Sequence, residues 1–151
     1  MTYQSTKTFG HEIGLSCAFR QWRADTHCKF VHGYALSFKF VFQADKLNDK
    51  NWVLDFGSLK DLKNSLEMSF DHKLVIAKDD PLISHFKELN GVAWDLRVFD
   101  NVGCEAFAYE AYYLAAMFLS KNEHQGVKVI SCECAEHGAN SAIFIGDNNG
   151  Q

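Results

Sequence analysis

Between Leu36 and Gln43 every second residue is large and apolar: Leu36, Phe38, Phe40 and Phe42 alternate with Ser37, Lys39, Val41 and Gln43. Side chains on a strand point to opposite faces in turn, so this pattern predicts a strand with one face committed to a core. A helix would scatter the same residues around its circumference. A weaker version lies upstream, where His11, Ile13, Leu15, Cys17 and Phe19 are in phase, with Glu12, Gly14, Ser16 and Ala18 between them. Val127 to Ala135 and Ser141 to Ile145 read as two further strands. The sequence His137-Gly138-Ala139-Asn140 joins them with hairpin-turn chemistry. Ile130, Cys132, Cys134 and Glu136 are expected on one face of the third strand.

Two segments have helical spacing instead. Asp55 can accept hydrogen bonds from unpaired backbone N–H groups at a helix start, and Phe56, Leu59, Leu62, Leu66 and Phe70 then step by three or four. Gly103 to Leu119 places Phe107, Ala111, Leu114 and Phe118 on one stripe, with Glu105 in the first turn, where a carboxylate suits the helix dipole. The stretch Lys73 to Val102, which holds the lone Pro81, shows no clear period. The resulting order, β-β-α-α-β-β, predicts an α+β fold: a four-stranded antiparallel sheet with two helices on one face. With 151 residues and 13 Phe, residues 1–151 suit a single domain with ample side-chain area to bury. The small, polar tail Gly146 to Gln151 is expected to fray.

The formal net charge of −4 argues against broad nucleic-acid or anionic-membrane binding. Met1 to Phe9 are polar, so neither a secretory signal nor a membrane span is expected there. Five Cys, without a Cys-x-x-Cys pair, predict reduced thiols and a cytoplasmic setting.

Chemistry concentrates in Cys28-Lys29-Phe30-Val31-His32-Gly33-Tyr34. His32 and Tyr34 are in phase with Leu36, so they share a face, and Cys28 can approach His32 across a loop. That arrangement suits a thiol activated by an imidazole or a metal. It equally suits a packed thiol beside a hydrogen-bonded histidine. In Asp71-His72 a carboxylate could orient an imidazole for proton transfer, or the His could simply end a helix favourably. Glu136 could grip an NH–C–NH edge through two parallel hydrogen bonds, or be a solvated strand-end residue. Arg20 and Arg23 could stabilise developing negative charge, meet a phosphate chain, or decorate a solvated loop.

Taken in order, these motifs resemble the 6-pyruvoyl-tetrahydropterin synthase / 6-carboxy-tetrahydropterin synthase family of the tunnelling fold, over nearly the whole chain. Cys28 to Tyr34 follows the family's Cys-x-x-x-His-Gly-His, except at its last residue. Val53-Leu54-Asp55-Phe56-Gly57-Ser58-Leu59-Lys60 follows its Val-Asp-Phe-Gly-x-Leu-Lys element, and Phe70-Asp71-His72 its Leu-Asp-His. Gly103-Cys104-Glu105-Ala106 is similar to its Thr-x-Glu-Asn helix start, Glu136 to its late Glu, and Ala142-Ile143-Phe144 to its small-x-Tyr ending.

The resemblance implies a carbon–carbon lyase of the 6-carboxy-tetrahydropterin synthase type. Its substrate would be 7,8-dihydroneopterin triphosphate or a similar pterin, on a route to 7-deazaguanine compounds such as queuosine or in pterin biosynthesis. By position Cys28 would be the base, Asp71 and His72 the proton-transfer pair, and Glu136 the pterin anchor. Glu105 and Tyr34 would be further substrate contacts. Family subunits join edge strands into trimers or hexamers with sites between subunits, so a homo-oligomer is implied, and closure of that kind removes exposed sheet edges. The family's Zn²⁺ sits on three His, of which only His32 is present. Tyr34 takes the third ligand position. The first falls on Phe19 or, with the pairing shifted by two, on Cys17. That excludes a three-His zinc site and leaves a Cys17–His32–Tyr34 set with a substrate oxygen as the remaining donor combination. Two other readings compete with the lyase: a divergent pterin- or purine-binding protein with reduced or metal-free chemistry, and a Cys-His thiol enzyme unrelated to pterins.

Overall fold

A computed structural model describes residues 1–122 and 124–147. Seven strands run in chain order as β1 (Tyr3–Phe9), β2 (Leu15–Phe19), β3 (His32–Ala44), β4 (Lys73–Ala77), β5 (Asp95–Phe99), β6 (Val127–His137) and β7 (Asn140–Ile145). Three helices, α1 (Lys60–Phe70), α2 (Ile83–Glu88) and α3 (Cys104–Lys121), are interspersed with short 3-10 turns. The long strand β3 organises the sheet. Along one edge its first half pairs with β2 and its second half with β1; along the other it pairs with β6, which pairs with β7. All of these pairings are antiparallel. Beyond β2 lie β4 and β5, both parallel.

The α+β class therefore holds, but the sheet is seven-stranded and mixed rather than four-stranded and antiparallel. The additional strands escaped the period-two signal for physical reasons. In β4, Leu74, Val75, Ile76 and Ala77 are all buried, as expected of a parallel strand covered on both faces, and the sequence shows a run instead of an alternation. In β1 the side chains are mostly polar and exposed, so backbone pairing with β3 defines that strand. His11–Ile13 forms a 3-10 turn closed by Gly14, whose φ of 76° is the left-handed conformation glycine tolerates. The first expected strand consequently begins at Leu15.

On β3 the alternation is realised, with Leu36, Phe38, Phe40 and Phe42 fully buried. On β6 it is interrupted. Val41 faces Ser131 whereas Phe42 faces Val129, a bulge that skips Ile130. Val129, Cys132 and Cys134 are buried, and Ile130 is only half-buried. The hairpin from His137 to Asn140 forms as expected. Of the tail, Gly146 N–H donates to the Ile130 carbonyl, while residues 148–151 lie outside the described residues.

Helix α1 contacts β2 and β4, α3 contacts β6 and β7, and the two helices touch each other. Asp55 caps the 3-10 turn Phe56–Leu59 that leads into α1, its carboxylate accepting from Gly57 N–H at 2.8 Å. The central core is aromatic. Phe70 of α1 lies 4.8 Å from Phe38 and 5.4 Å from Phe107 of α3, which meets Phe19 edge-on at 5.0 Å. Burying each such ring contributes about 1.5–3 kcal/mol, so the helices are fixed where their ends border β2 and β6.

Candidate functional site

Four chemically capable side chains from four separate segments line one cavity of about 340 Å³: Cys28, His32, Glu105 and Glu136. That volume suits a small heterocycle. Cys28 sits in a 3-10 turn, His27–Lys29, capped by Thr26, whose hydroxyl accepts from Cys28 N–H at 3.4 Å. The turn is tied back by Gln21 N–H to the Cys28 carbonyl at 2.9 Å and by Arg20 Nη1 to the Lys29 carbonyl at 3.1 Å. The half-buried thiol is thus held by backbone on both sides.

His32 opens β3, and its Nδ1 lies 2.8 Å from the Phe30 carbonyl. A carbonyl only accepts, so Nδ1 carries a proton, and in the neutral ring Nε2 is the acceptor. Tyr34, two residues on, packs edge-on against His32 at 5.5 Å and near His137 at 6.1 Å. Burial, with Glu136, Cys28 and Cys104 nearby, raises its phenol above the ordinary value, so Tyr34 remains a hydrogen-bond donor. Glu136 precedes the β6–β7 turn, and Glu105 occupies the first turn of α3.

Asp71 and His72 are brought together, but elsewhere. Asp71 ends α1, and its Oδ1 accepts from Ser16 N–H at 3.1 Å and lies 2.8 Å from His72 Nδ1. Neighbouring side chains normally diverge. Here His72 adopts φ 56°, a left-handed conformation that is uncommon away from glycine, and this turns its ring back to the carboxylate. The imidazole is 82% exposed. Ser16 and Phe19 are three strand residues apart, so the pair sits roughly 10 Å along β2 from the cavity, which it does not line.

The implied zinc does not fit this chain's donors. Phe19 pairs with His32 across β2 and β3, lines the cavity, and has its ring centroid 5.8 Å from the imidazole. A phenyl ring therefore stands where a first ligand would. Cys17 pairs with Tyr34 but is 1% exposed; its Sγ faces the Ala18 carbonyl, and burial pushes the thiol up to about 12. The thiol is closed into the core and does not line the cavity that holds His32. Of the Cys17–His32–Tyr34 set, only His32 lines the cavity. Among the described residues no three His, Cys, Asp or Glu side chains are grouped to hold a cation.

The two arginines are also committed. Arg20 makes a bidentate pair with Asp80, Nε–Oδ2 2.7 Å and Nη2–Oδ1 2.8 Å, and Arg23 Nη2 bonds Asp79 at 2.7 Å while stacking on Trp22 at 4.1 Å. No Lys or Arg lines the cavity among the described residues. Four lining residues with polar or thiol side chains are not candidates on the sequence alone: Gln21, Cys104, Asn140 and Ser141. Cys104 stands beside Glu105 at a helix start, and Asn140 closes the hairpin after Glu136, so adjacency to the two carboxylates was the available signal.

Residues 9–147 match the 6-pyruvoyl tetrahydropterin synthase family. A 6-carboxy-5,6,7,8-tetrahydropterin synthase from Aquifex aeolicus is 22% identical, covering 95% of this chain and 98% of that protein. One from Rickettsia conorii is 37% identical over 54 residues, spanning 35% of this chain and 39% of the relative's length. Among solved structures, an uncharacterized protein from Wolinella succinogenes superposes with a TM-score of 0.77 at 20% identity, covering 97% of this chain and 99% of that one. A catalytic-residue mutant of Plasmodium vivax 6-pyruvoyltetrahydropterin synthase superposes at 0.71 with 12% identity, covering 95% and 97%. These likenesses show the tunnelling-type fold. No helix among the described residues is long and apolar enough to cross a membrane.

Proposed function

Because the chain belongs to the 6-pyruvoyl tetrahydropterin synthase family, we propose that it is a pterin-transforming lyase of the 6-carboxy-tetrahydropterin synthase type that works without the family's three-His zinc. One observation carries this reading: Cys28 and Glu136, distant in sequence, line the same cavity. Glu136 accepts two parallel N–H bonds from the pterin's amidine-like edge and fixes the ring, with Glu105 beside it. Cys28 then meets the side chain of 7,8-dihydroneopterin triphosphate or a similar pterin and takes up its proton. His32, with Nε2 free to accept, orients a substrate hydroxyl, and the protonated Tyr34 phenol packed against that ring is the donor for the developing oxyanion. Arg20, held in a buried pair by Asp80, does not serve the substrate's phosphates, whereas Arg23, in an exposed pair with Asp79, stays available to them.

The Asp71–His72 pair completes the site from a neighbouring copy. It is exposed, locally strained and remote from its own chain's cavity, which suits a proton relay presented across a subunit contact. The edge of β7 that is unpaired among the described residues, with Ile143 and Ile145 exposed, offers a surface for that homo-oligomer.

A second reading, a pterin- or purine-binding protein with reduced chemistry, is favoured by Phe19 at the ligand position. One experiment separates the two. Protein purified without chelator is analysed for metals and incubated with dihydroneopterin triphosphate. Acetaldehyde release without stoichiometric zinc is the expected result. Pterin binding with no acetaldehyde released would leave the binding protein as the correct reading.

A further inference from the structure

The C-terminal end of β6 carries an irregularity of its own. Ala135 faces Ser141 and His137 faces Asn140, so β6 advances two residues while β7 advances one. Glu136 is the extra residue, and a bulge of this kind re-aims the side chain it carries. Glu136, Asn140 and Ser141 all line the cavity as a result. His137 stands beside them. Its Nδ1 accepts from Ala139 N–H at 3.2 Å, and its Nε2 lies 3.3 Å from Asn140 Nδ2.

We propose that Asn140 is a specificity-determining residue of the ring site, its amide donating to the carbonyl oxygen that flanks the NH–C–NH edge held by Glu136. The assignment rests on the pterin reading above. The imidazole sets the direction of the amide. A ring nitrogen that accepts from a backbone N–H carries no proton, so the proton of His137 is on Nε2. Two donors, Nε2–H and Nδ2, cannot bond to each other. The backbone N–H of Ala139 is fixed in direction, whereas a half-turn of the Asn140 amide exchanges its O and N. After that half-turn Oδ1 accepts from Nε2–H, and the Nδ2 hydrogens face away from the ring. They have no other partner among the described residues, and Asn140 lines the cavity.

This donor completes the match to a lactam. Along one side a pterin presents an amino N–H, a ring N–H and then a carbonyl oxygen, which is donor, donor, acceptor. The ionised Glu136 supplies two acceptors and Asn140 the donor that follows them. A ring with an amino group in place of that oxygen would set donor against donor, and a ring with a weak acceptor there would leave the amide poorly paired. A site that hydrogen-bonds a ligand group discriminates against analogues lacking it. Ser141, next along β7, is the neighbouring neutral donor on the cavity and provides the comparison.

The test is calorimetric binding of two ligands to the intact protein: neopterin and its 4-thioxo counterpart. The second keeps both N–H groups for Glu136 and exchanges the carbonyl oxygen for a weakly accepting sulfur. Wild type should prefer neopterin by about three- to tenfold, the range of one neutral hydrogen bond. Asn140→Ala, a substitution at an exposed turn position, should bind the two ligands alike while Glu136 still holds both. His137→Ala should shrink the preference, because the amide is then free to rotate. A preference kept in full in Asn140→Ala, or lost in Ser141→Ala instead, would overturn the assignment, as would a wild type that does not distinguish the ligands. A wild type that binds neither ligand would refute the pterin reading and this assignment with it, so the two failures are told apart.

Discussion

Replacing Arg20 with alanine should cost about 3–5 kcal/mol of stability. The estimate follows from what the guanidinium does. Its side chain is 14% exposed and that of Asp80 is 0% exposed, so the pair lies out of water. Two parallel bonds at 2.7 and 2.8 Å neutralise the carboxylate, and only the Leu82 N–H, at 2.9 Å, would remain if they were lost. Removing one partner of such a pair leaves a buried, uncompensated charge, whereas removing both does not. Arg20→Ala/Asp80→Ala should therefore cost clearly less than the sum of its single variants. The same arginine holds the Lys29 carbonyl, so the single variant also loosens the turn that presents Cys28. The pH dependence has a definite sign. Burial raises the Asp80 carboxyl, but the Arg20 and Leu82 bonds and the Arg20 charge prevail and hold it below the ordinary carboxylate range. A group with a depressed folded value contributes stability above its unfolded pKa of about 3.9 and loses that contribution as pH falls toward the folded value. Wild-type stability should accordingly decline in acid. In Arg20→Ala only the Leu82 N–H still opposes burial, so the loss of stability in acid should shrink. Urea unfolding at neutral pH and in acid measures both effects. A loss of under about 1 kcal/mol at neutral pH, in the range of an exposed ion pair, would refute the structural role and return Arg20 to the candidates for phosphate binding.

Further outcomes are expected. Phe107→Ala should lose about 3–5 kcal/mol in the same assay, because that ring joins Phe19, Phe70 and Phe99; a change near zero would mean the core around the cavity is not packed as described. Gly33→Ala should cost about 1–3 kcal/mol, since a Cβ there would stand 2.7 Å from the Cys17 carbonyl oxygen where β2 and β3 pair. Wild-type stability in that variant would contradict the register. Phe19→His combined with Tyr34→His restores the family's imidazoles around His32 and should raise the zinc content measured by elemental analysis to one ion per chain. A double variant that still binds no zinc would show that ligand identity alone does not explain the departure.

The strands and helices whose one-sided burial leaves a period were legible in the sequence. Leu36 to Phe42 and the stripe from Leu59 to Phe70 read directly because each faces the core on one side only. Leu74 to Ala77 is buried on both faces and β1 is held by backbone pairing, so neither leaves a simple alternation. The bulge at Ile130 is a register event that no local pattern announces. For the site, Cys28, His32, Glu105 and Glu136 were named from motif and spacing, and they do converge. What one chain's sequence could not convey was which residues face which. Cys17 and Phe19 share a phase on β2 and are both buried, yet only the phenyl ring, packed on Phe107 of α3, also lines the cavity. The strained turn that folds His72 onto Asp71 was likewise invisible, since two adjacent residues meet only when the backbone between them is unusual.

The division of labour between the ring anchor and the thiol is tested most directly by comparing two single variants in one pair of assays, calorimetric binding of neopterin and turnover of dihydroneopterin triphosphate. Glu136→Ala removes a charge-assisted bond of about 1.5–3 kcal/mol, so neopterin affinity should fall roughly ten- to 150-fold. Cys28→Ala should abolish turnover while neopterin binds as in the wild type. Undiminished affinity in Glu136→Ala, or full turnover in Cys28→Ala, would contradict the assignment of this cavity to pterin chemistry.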